Sequence, residues 1–174
     1  MASDSAFAAV ALPHLDAAYN LARWLTGSTD EAEEVVQEAM VRALTYFPSF
    51  RGANPRAWIL QIVRNAAYSA VNARRAQRTV PIASDGEESA FVALADPGAD
   101  PETALIRTRD KTQLDALLAR LPIELRETLV LRELEELAYR DIARITGAPL
   151  GTVMSRLWRA RRLLAEAARK GDRP

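Results

Sequence analysis

The stretch Leu137–Leu164, LAYRDIARITGAPLGTVMSRLWRARRLL, reads as two short helices with a tight turn between them and a basic tail behind. Ala143, Gly147 four residues on and Val153 six further set its internal rhythm. Each has a steric reason. Ala143 must be small because the second helix crosses close above it. Gly147 suits a turn whose backbone takes a positive φ, which a side chain resists. Val153 and Leu157, four apart on the second helix, point back into a small core with Ile142. Thr152, Ser155, Arg156 and Arg159 are left to face outward. This is the pattern of a helix-turn-helix, whose second helix lies in the major groove of DNA with its early residues at the base edges.

The charge around the motif points the same way. From Ile142 to Pro174 there are eight basic residues against two acidic ones. A helix face that is only solvated mixes its signs to gain i,i+4 pairs. The net charge of zero over 174 residues conceals four blocks of alternating sign: −5 over residues 1–50, +6 over 51–78, −6 over 79–106 and +5 over 107–174. Such blocks imply several surfaces with different partners. Arginine outnumbers lysine twenty-one to two, and guanidinium suits bidentate contact with phosphate and guanine, although a GC-rich genome gives the same bias.

Composition narrows the function further. The absence of cysteine and the single histidine, His14, remove disulfides, thiol catalysis and zinc ribbons together. No phosphate-cradling glycine loop or convincing carboxylate dyad is present, so neither catalytic residues nor a metal or cofactor is expected. No apolar run is long enough to cross a bilayer, and MASDSAFAAV lacks the basic flank of a secretory signal, which predicts a cytoplasmic protein without membrane insertion.

From the N-terminus, a first helix is expected over 6–25, with Leu15, Ala18, Tyr19, Ala22 and Leu25 in one stripe and Gly27 ending it. Ser28 and Glu31 form a capping box, opening a second helix to about Phe47 that buries Val35, Val36, Ala39, Ala43 and Leu44. Pro48 to Pro55 is a loop that carries Phe50 and Arg51 side by side. Asn54 and Pro55 are the N-cap and first position of a third helix, with Trp58, Ile59, Ile62, Val63, Ala66, Ala67 and Ala70 near its core face. Its other positions, Gln61, Arg64, Asn65, Tyr68 and Asn72, lead into Arg74, Arg75 and Arg78 without a carboxylate. Amides and guanidiniums clamp nucleic acid, and aromatics stack on unpaired bases at about 1–3 kcal/mol each.

Residues 79–102, with prolines at 81, 97 and 101 and six acids, read as a flexible acidic linker. Beyond it a helix is expected from Glu102 to Arg120, and after Leu121-Pro122 another from Ile123 to Glu135 that buries Leu125, Leu129 and Leu134. The helix-turn-helix comes next. The fold class is therefore all-α: a three- or four-helix domain over 1–78, the linker over 79–102 and a helix-turn-helix domain over 103–174.

Three stretches in this order resemble the extracytoplasmic-function group of bacterial RNA polymerase sigma factors. Glu31 to Glu38 looks like the acidic segment of that family's promoter-melting domain, and Pro55 to Ala67 like its next helix. Leu121 to Arg126, Tyr139 to Ala143 and Gly151 to Arg161 are similar to its C-terminal domain. The resemblance implies a factor that binds core RNA polymerase and directs promoter-specific initiation. Glu34, Val35, Gln37, Glu38 and Arg42 would dock on the clamp of the largest subunit, and the flap region is the other polymerase contact the resemblance implies. Phe50, Arg51, Asn54, Arg56, Trp58, Gln61, Arg64, Asn65, Tyr68, Arg74 and Arg75 would capture the minus-ten element. Tyr139, Thr152, Met154, Ser155, Arg156, Arg159 and Arg162 would read the minus-thirty-five element. An anti-sigma factor is a further partner common in the family. Met154 stands where the family often has a basic residue, and Ser69 and Asn72 stand near where it commonly shows an aspartate and an arginine. The alternative function is a sigma-like decoy that sequesters an anti-sigma protein; the basic face kept at Arg156, Arg159 and Arg162 argues against it.

Overall fold

Pro13 divides what the apolar stripe reads as one helix. In the computed structural model, which describes residues 2–78 and 112–171, α1 (Ala2–Ala11) ends in a 3₁₀ turn at Leu12–His14 and α2 (Leu15–Thr26) begins afresh. The expected helix over 6–25 is thus corrected to two, because proline has no N–H to give an interior turn and its ring clashes with the carbonyl four residues back.

Gly27, at φ 76°, closes α2 by donating its N–H to the Arg23 carbonyl at 3.0 Å. Ser28 then caps α3 (Thr29–Tyr46), its hydroxyl accepting from the Glu31 N–H at 3.4 Å. The Glu31 carboxylate accepts from Arg74 Nη1 at 2.9 and 3.0 Å, tying the start of α3 to the far end of α4 (Pro55–Arg78). Asn54 caps α4 as expected, with Oδ1 accepting from the Ala57 N–H at 3.0 Å. α2, α3 and α4 pack on one another through alanines 18, 22, 32, 39, 43, 57, 66 and 67, all without exposed surface. Leu44, expected inside, is 42% exposed, because Ala43 takes the inward position and the next residue lies about 100° further round the helix.

In the C-terminal half, residues 112–119 are helical (α5), followed by α6 (Ile123–Leu129), a π turn at Val130–Leu134, α7 (Tyr139–Thr146) and α8 (Leu150–Gly171). The π turn corrects the expected continuous helix to Glu135. The Glu135 N–H bonds the Val130 carbonyl, five residues back, at 3.1 Å. The extra residue in that turn shifts the helical phase at its C-terminal end: Leu134, expected in the core, is 51% exposed, while Glu135 is buried. Between α7 and α8, Gly147 has φ 68°, and Ile142, Val153 and Leu157 are buried, as the motif requires. The described residues contain no strand. The expected linker and the start of the helix expected from Glu102 lie outside them.

The two halves pack directly on one another. α4 lies against α7 and α2 against α6. Arg126 pins the seam, donating from Nη1 to the Trp24 carbonyl at 2.9 Å and from Nη2 to the Ala119 and Leu121 carbonyls, each at 3.0 Å. None of the described helices is long and apolar enough to cross a membrane.

Candidate nucleic-acid interface

The Phe50 loop is shaped by stacked rings. Phe50 lies over Trp58 with centroids 4.5 Å apart, and Phe47 stacks on Phe50 at 6.5 Å. Gly52 packs against this stack, since a Cβ would come within 2.9 Å of the Phe50 ring and displace it. Arg51 braces the loop, its Nη1 donating to the Pro48 and Phe50 carbonyls at 2.6 and 3.0 Å. Phe50, Arg51, Gly52, Asn54, Trp58 and Gln61 line an open cavity of about 470 Å³. An aromatic floor with an amide and a guanidinium at the rim can stack a base and bond its edges. Trp58, expected in the core, is only partly buried and contributes one face to this stack.

Arg56, Arg64 and Tyr68 lie on the side of α4 that meets the C-terminal half. The Arg64 guanidinium sits 4.2 Å from the Tyr68 ring centroid and donates to Glu127 through Nε at 2.8 Å and Nη2 at 3.2 Å. Arg56 Nη2 donates to Glu135 at 2.7 Å, and Asn20 Nδ2 to the same carboxylate at 3.3 Å. Burial, and after it the negative charge of Glu127, push the Tyr68 phenol well above its ordinary range, so it stays a neutral ring and hydroxyl. Burial also raises the Glu127 carboxyl, with Arg64 foremost among the groups that oppose the rise. Asn65 is exposed.

On α8, Met154, Ser155, Trp158, Arg159 and Arg162 are exposed and Thr152 is half-buried. Arg162 lies 5.4 Å from the Trp158 ring centroid and donates to Glu166 at 2.8 Å. Tyr139 is half-buried, with the Arg132 guanidinium 5.0 Å from its ring centroid. The outward position expected of Arg156 is corrected. It turns inward, with Nη1 3.7 Å from Glu127, because a fully buried carboxylate lies beneath it.

Comparison with known proteins assigns both halves. Residues 11–79 match the sigma-70 region 2 family and residues 111–164 the sigma-70 region 4 family. The sigma-H factor of Pseudomonas aeruginosa is 36% identical over 144 residues, 79% of this chain and 72% of that protein. The chain belongs to the ECF group of RNA polymerase sigma factors. The EcfG factor of Rhodopseudomonas palustris is 35% identical over 81% of this chain and 73% of that one. Among solved structures, the sigma factor RpoE bound to the anti-sigma factor NepR from Bartonella quintana shares 30% identity at a TM-score of 0.68, covering 93% of this chain and 95% of that one.

In this sigma factor Glu34, Gln37, Glu38 and Arg42 share the exposed side of α3, where Arg42 pairs with Glu38. Val35, expected on that surface, is instead a core residue at 2% exposure, since Ala32, Val35 and Ala39 form the inward stripe. Sequence reasoning missed Glu127 and Glu135 altogether. Glu127 was detectable, because it interrupts the apolar face made by Ile123, Val130 and Leu131. Glu135 carried no such signal, since its burial depends on the π turn. Also missed was a cavity of about 400 Å³ at the seam, lined by Arg74, Arg75, Arg78, Arg120 and Arg126.

Proposed function

We propose that this sigma factor uses two DNA-reading surfaces, one in each half, to place core RNA polymerase on a promoter and open it there. Residues 1–78 form the minus-ten and core-binding domain, 79–102 the acidic connector and 103–174 the minus-thirty-five domain. The observation that carries the division of labour is that the Phe50 loop and the outward face of α8 are chemically different. The loop is a recess walled by aromatic rings and amides, suited to an unstacked base. The α8 face is an exposed helical row of Ser155, Arg159 and Arg162 with apolar Met154 and Trp158, suited to a duplex groove.

Arg51, Asn54 and Gln61 line the base recess and Asn65 follows one turn further along α4; Arg56, Arg64, Tyr68, Arg74 and Arg75 follow the strand along α4. Glu34, Gln37, Glu38 and Arg42 offer the clamp of the largest subunit an acidic helical face, and the C-terminal half meets the flap region. Core polymerase supplies the chemistry of RNA synthesis, so the chain acts as a specificity subunit and not as an enzyme, in the cytoplasm. An anti-sigma protein is its expected regulator.

Run-off transcription with purified core polymerase on a genomic fragment library tests the reading. Discrete transcripts that require this chain are expected. Failure to initiate from any fragment across a salt series would overturn it in favour of the decoy.

A further inference from the structure

Five arginines converge on one recess at the seam. Arg74, Arg75 and Arg78 come from the C-terminal end of α4, Arg120 from the corner after α5 and Arg126 from α6, around a cavity of about 400 Å³. The other described lining residues, Leu25, Thr26, Val71, Leu121, Pro122 and Ile123, include no carboxylate. Arg74 is compensated from outside the recess, with Nη1 donating to both Glu31 oxygens and Nη2 to the Thr26 carbonyl at 3.2 Å. Arg126 has no such carboxylate among the described residues. Its terminal nitrogens donate to three carbonyls, which satisfy N–H groups without cancelling charge, and its Nε is buried with no acceptor. Burial foremost, and the positive charge of Arg75 as well, push this guanidinium below the ordinary arginine range. Arg78 and Arg120 are exposed, one from each half, and neither pairs with a carboxylate among the described residues.

Like charges crowded into a partly desolvated recess repel, and a multivalent anion seated among them relieves that cost. We propose that this recess is a binding site for a small anion carrying two linked phosphates, either free pyrophosphate or the diphosphate of a nucleotide. Guanidinium forks match phosphate oxygens in pairs. Arg78, Arg120 and Arg126 carry three positive charges that no described carboxylate meets, and one phosphate group brings only about two negative ones. A linked pair covers the difference. A phosphate within a nucleic-acid strand has a sugar on either side, whereas a terminal diphosphate is bare at one end and enters a recess walled from both halves. Arg78 and Arg120 close on it from the two halves, and Arg126 contributes field and not bonds. Such a site stands or fails independently of the promoter reading.

Isothermal titration of the full chain, in chloride buffer without divalent cations, tests the site. Pyrophosphate is expected to bind on the order of tenfold tighter than orthophosphate, the size of one further charge-assisted contact. Arg120→Ala and Arg78→Ala should each weaken pyrophosphate binding on the order of tenfold. Both should keep their helical circular dichroism, since both side chains are exposed; if one variant lost it, the other decides. Saturating pyrophosphate should raise the thermal midpoint by about 5 °C, an effect absent from Arg120→Ala. A nucleoside diphosphate that binds tighter than pyrophosphate, with the same loss in both variants, identifies a nucleotide as the source; preference for pyrophosphate identifies the inorganic anion. Equal affinities for pyrophosphate, orthophosphate and sulfate would mean an adventitious ion only and would overturn the site. So would pyrophosphate affinity unchanged in both variants. Arg169→Ala, an exposed arginine outside the recess, should leave the affinity as it is, and an equal loss there would reduce the effect to overall charge and sink the site as well.

Discussion

Removing Arg64 is expected to cost this protein far more stability than removing a surface arginine. Its side chain is 18% exposed and its fork is filled by Glu127, which has no exposed surface. Arg64→Ala leaves that carboxylate with Arg156, at 3.7 Å and outside hydrogen-bond range, and the neutral Tyr68 hydroxyl as its remaining neighbours. Breaking a buried pair by deleting one partner costs about 3–5 kcal/mol, because the surviving charge stays desolvated. The chain has a cheaper escape, which is to part the two halves and let Glu127 reach water. The expected result in urea is therefore an early loss of the seam followed by unfolding of each half. With a slope of about 1–3 kcal/mol per molar urea, the first midpoint should move by roughly 2 M. Trp24 and Trp58 report on the N-terminal half and Trp158 on the C-terminal half, so tryptophan fluorescence and far-ultraviolet circular dichroism should cease to coincide. A single transition displaced by less than about 0.5 kcal/mol, as for an exposed arginine, would refute the reasoning.

Arg159→Ala should weaken promoter duplex binding and reduce the magnitude of its salt slope by about one, measured by anisotropy across a salt series; an unaltered slope would remove Arg159 from the interface. Asn65→Ala should impair strand opening more than duplex binding, and normal permanganate reactivity of the minus-ten thymines would exclude that role. Gly147→Ala should destabilise the C-terminal half by about 1–2 kcal/mol from its positive φ alone, since a Cβ there meets nothing within 4 Å, with thermal melting as the readout.

The features legible from sequence were local and periodic. Asn54 and Ser28 cap the helices their spacing predicts, and Gly147 takes the left-handed turn, because each depends on residues within one helical turn. The failures came where a distant element or an altered period decided the outcome. Pro13 cut the first helix although the apolar stripe continued through it. The π turn at Val130–Leu134 reversed the positions of Leu134 and Glu135, which a 3.6-residue period cannot anticipate. Arg56 and Arg64 read as a solvent-facing basic helix, and nothing within α4 discloses that their carboxylates come from residues 135 and 127. The loop recess was legible as aromatic and amide chemistry, while the ring stacking that shapes it required the fold.

The alanines that bring α2, α3 and α4 together divide the molecule into parts that tolerate change very differently. At positions with no exposed surface between close helices, a larger residue wedges the backbones apart and glycine loosens them, so spacing alone fixes the choice. The exposed residues Met154 and Ser155 of α8 carry no such restriction. On the proposed division of labour, a lineage that exchanged Met154 or Ser155 would acquire a different set of target genes while the bundle beneath stays as it is.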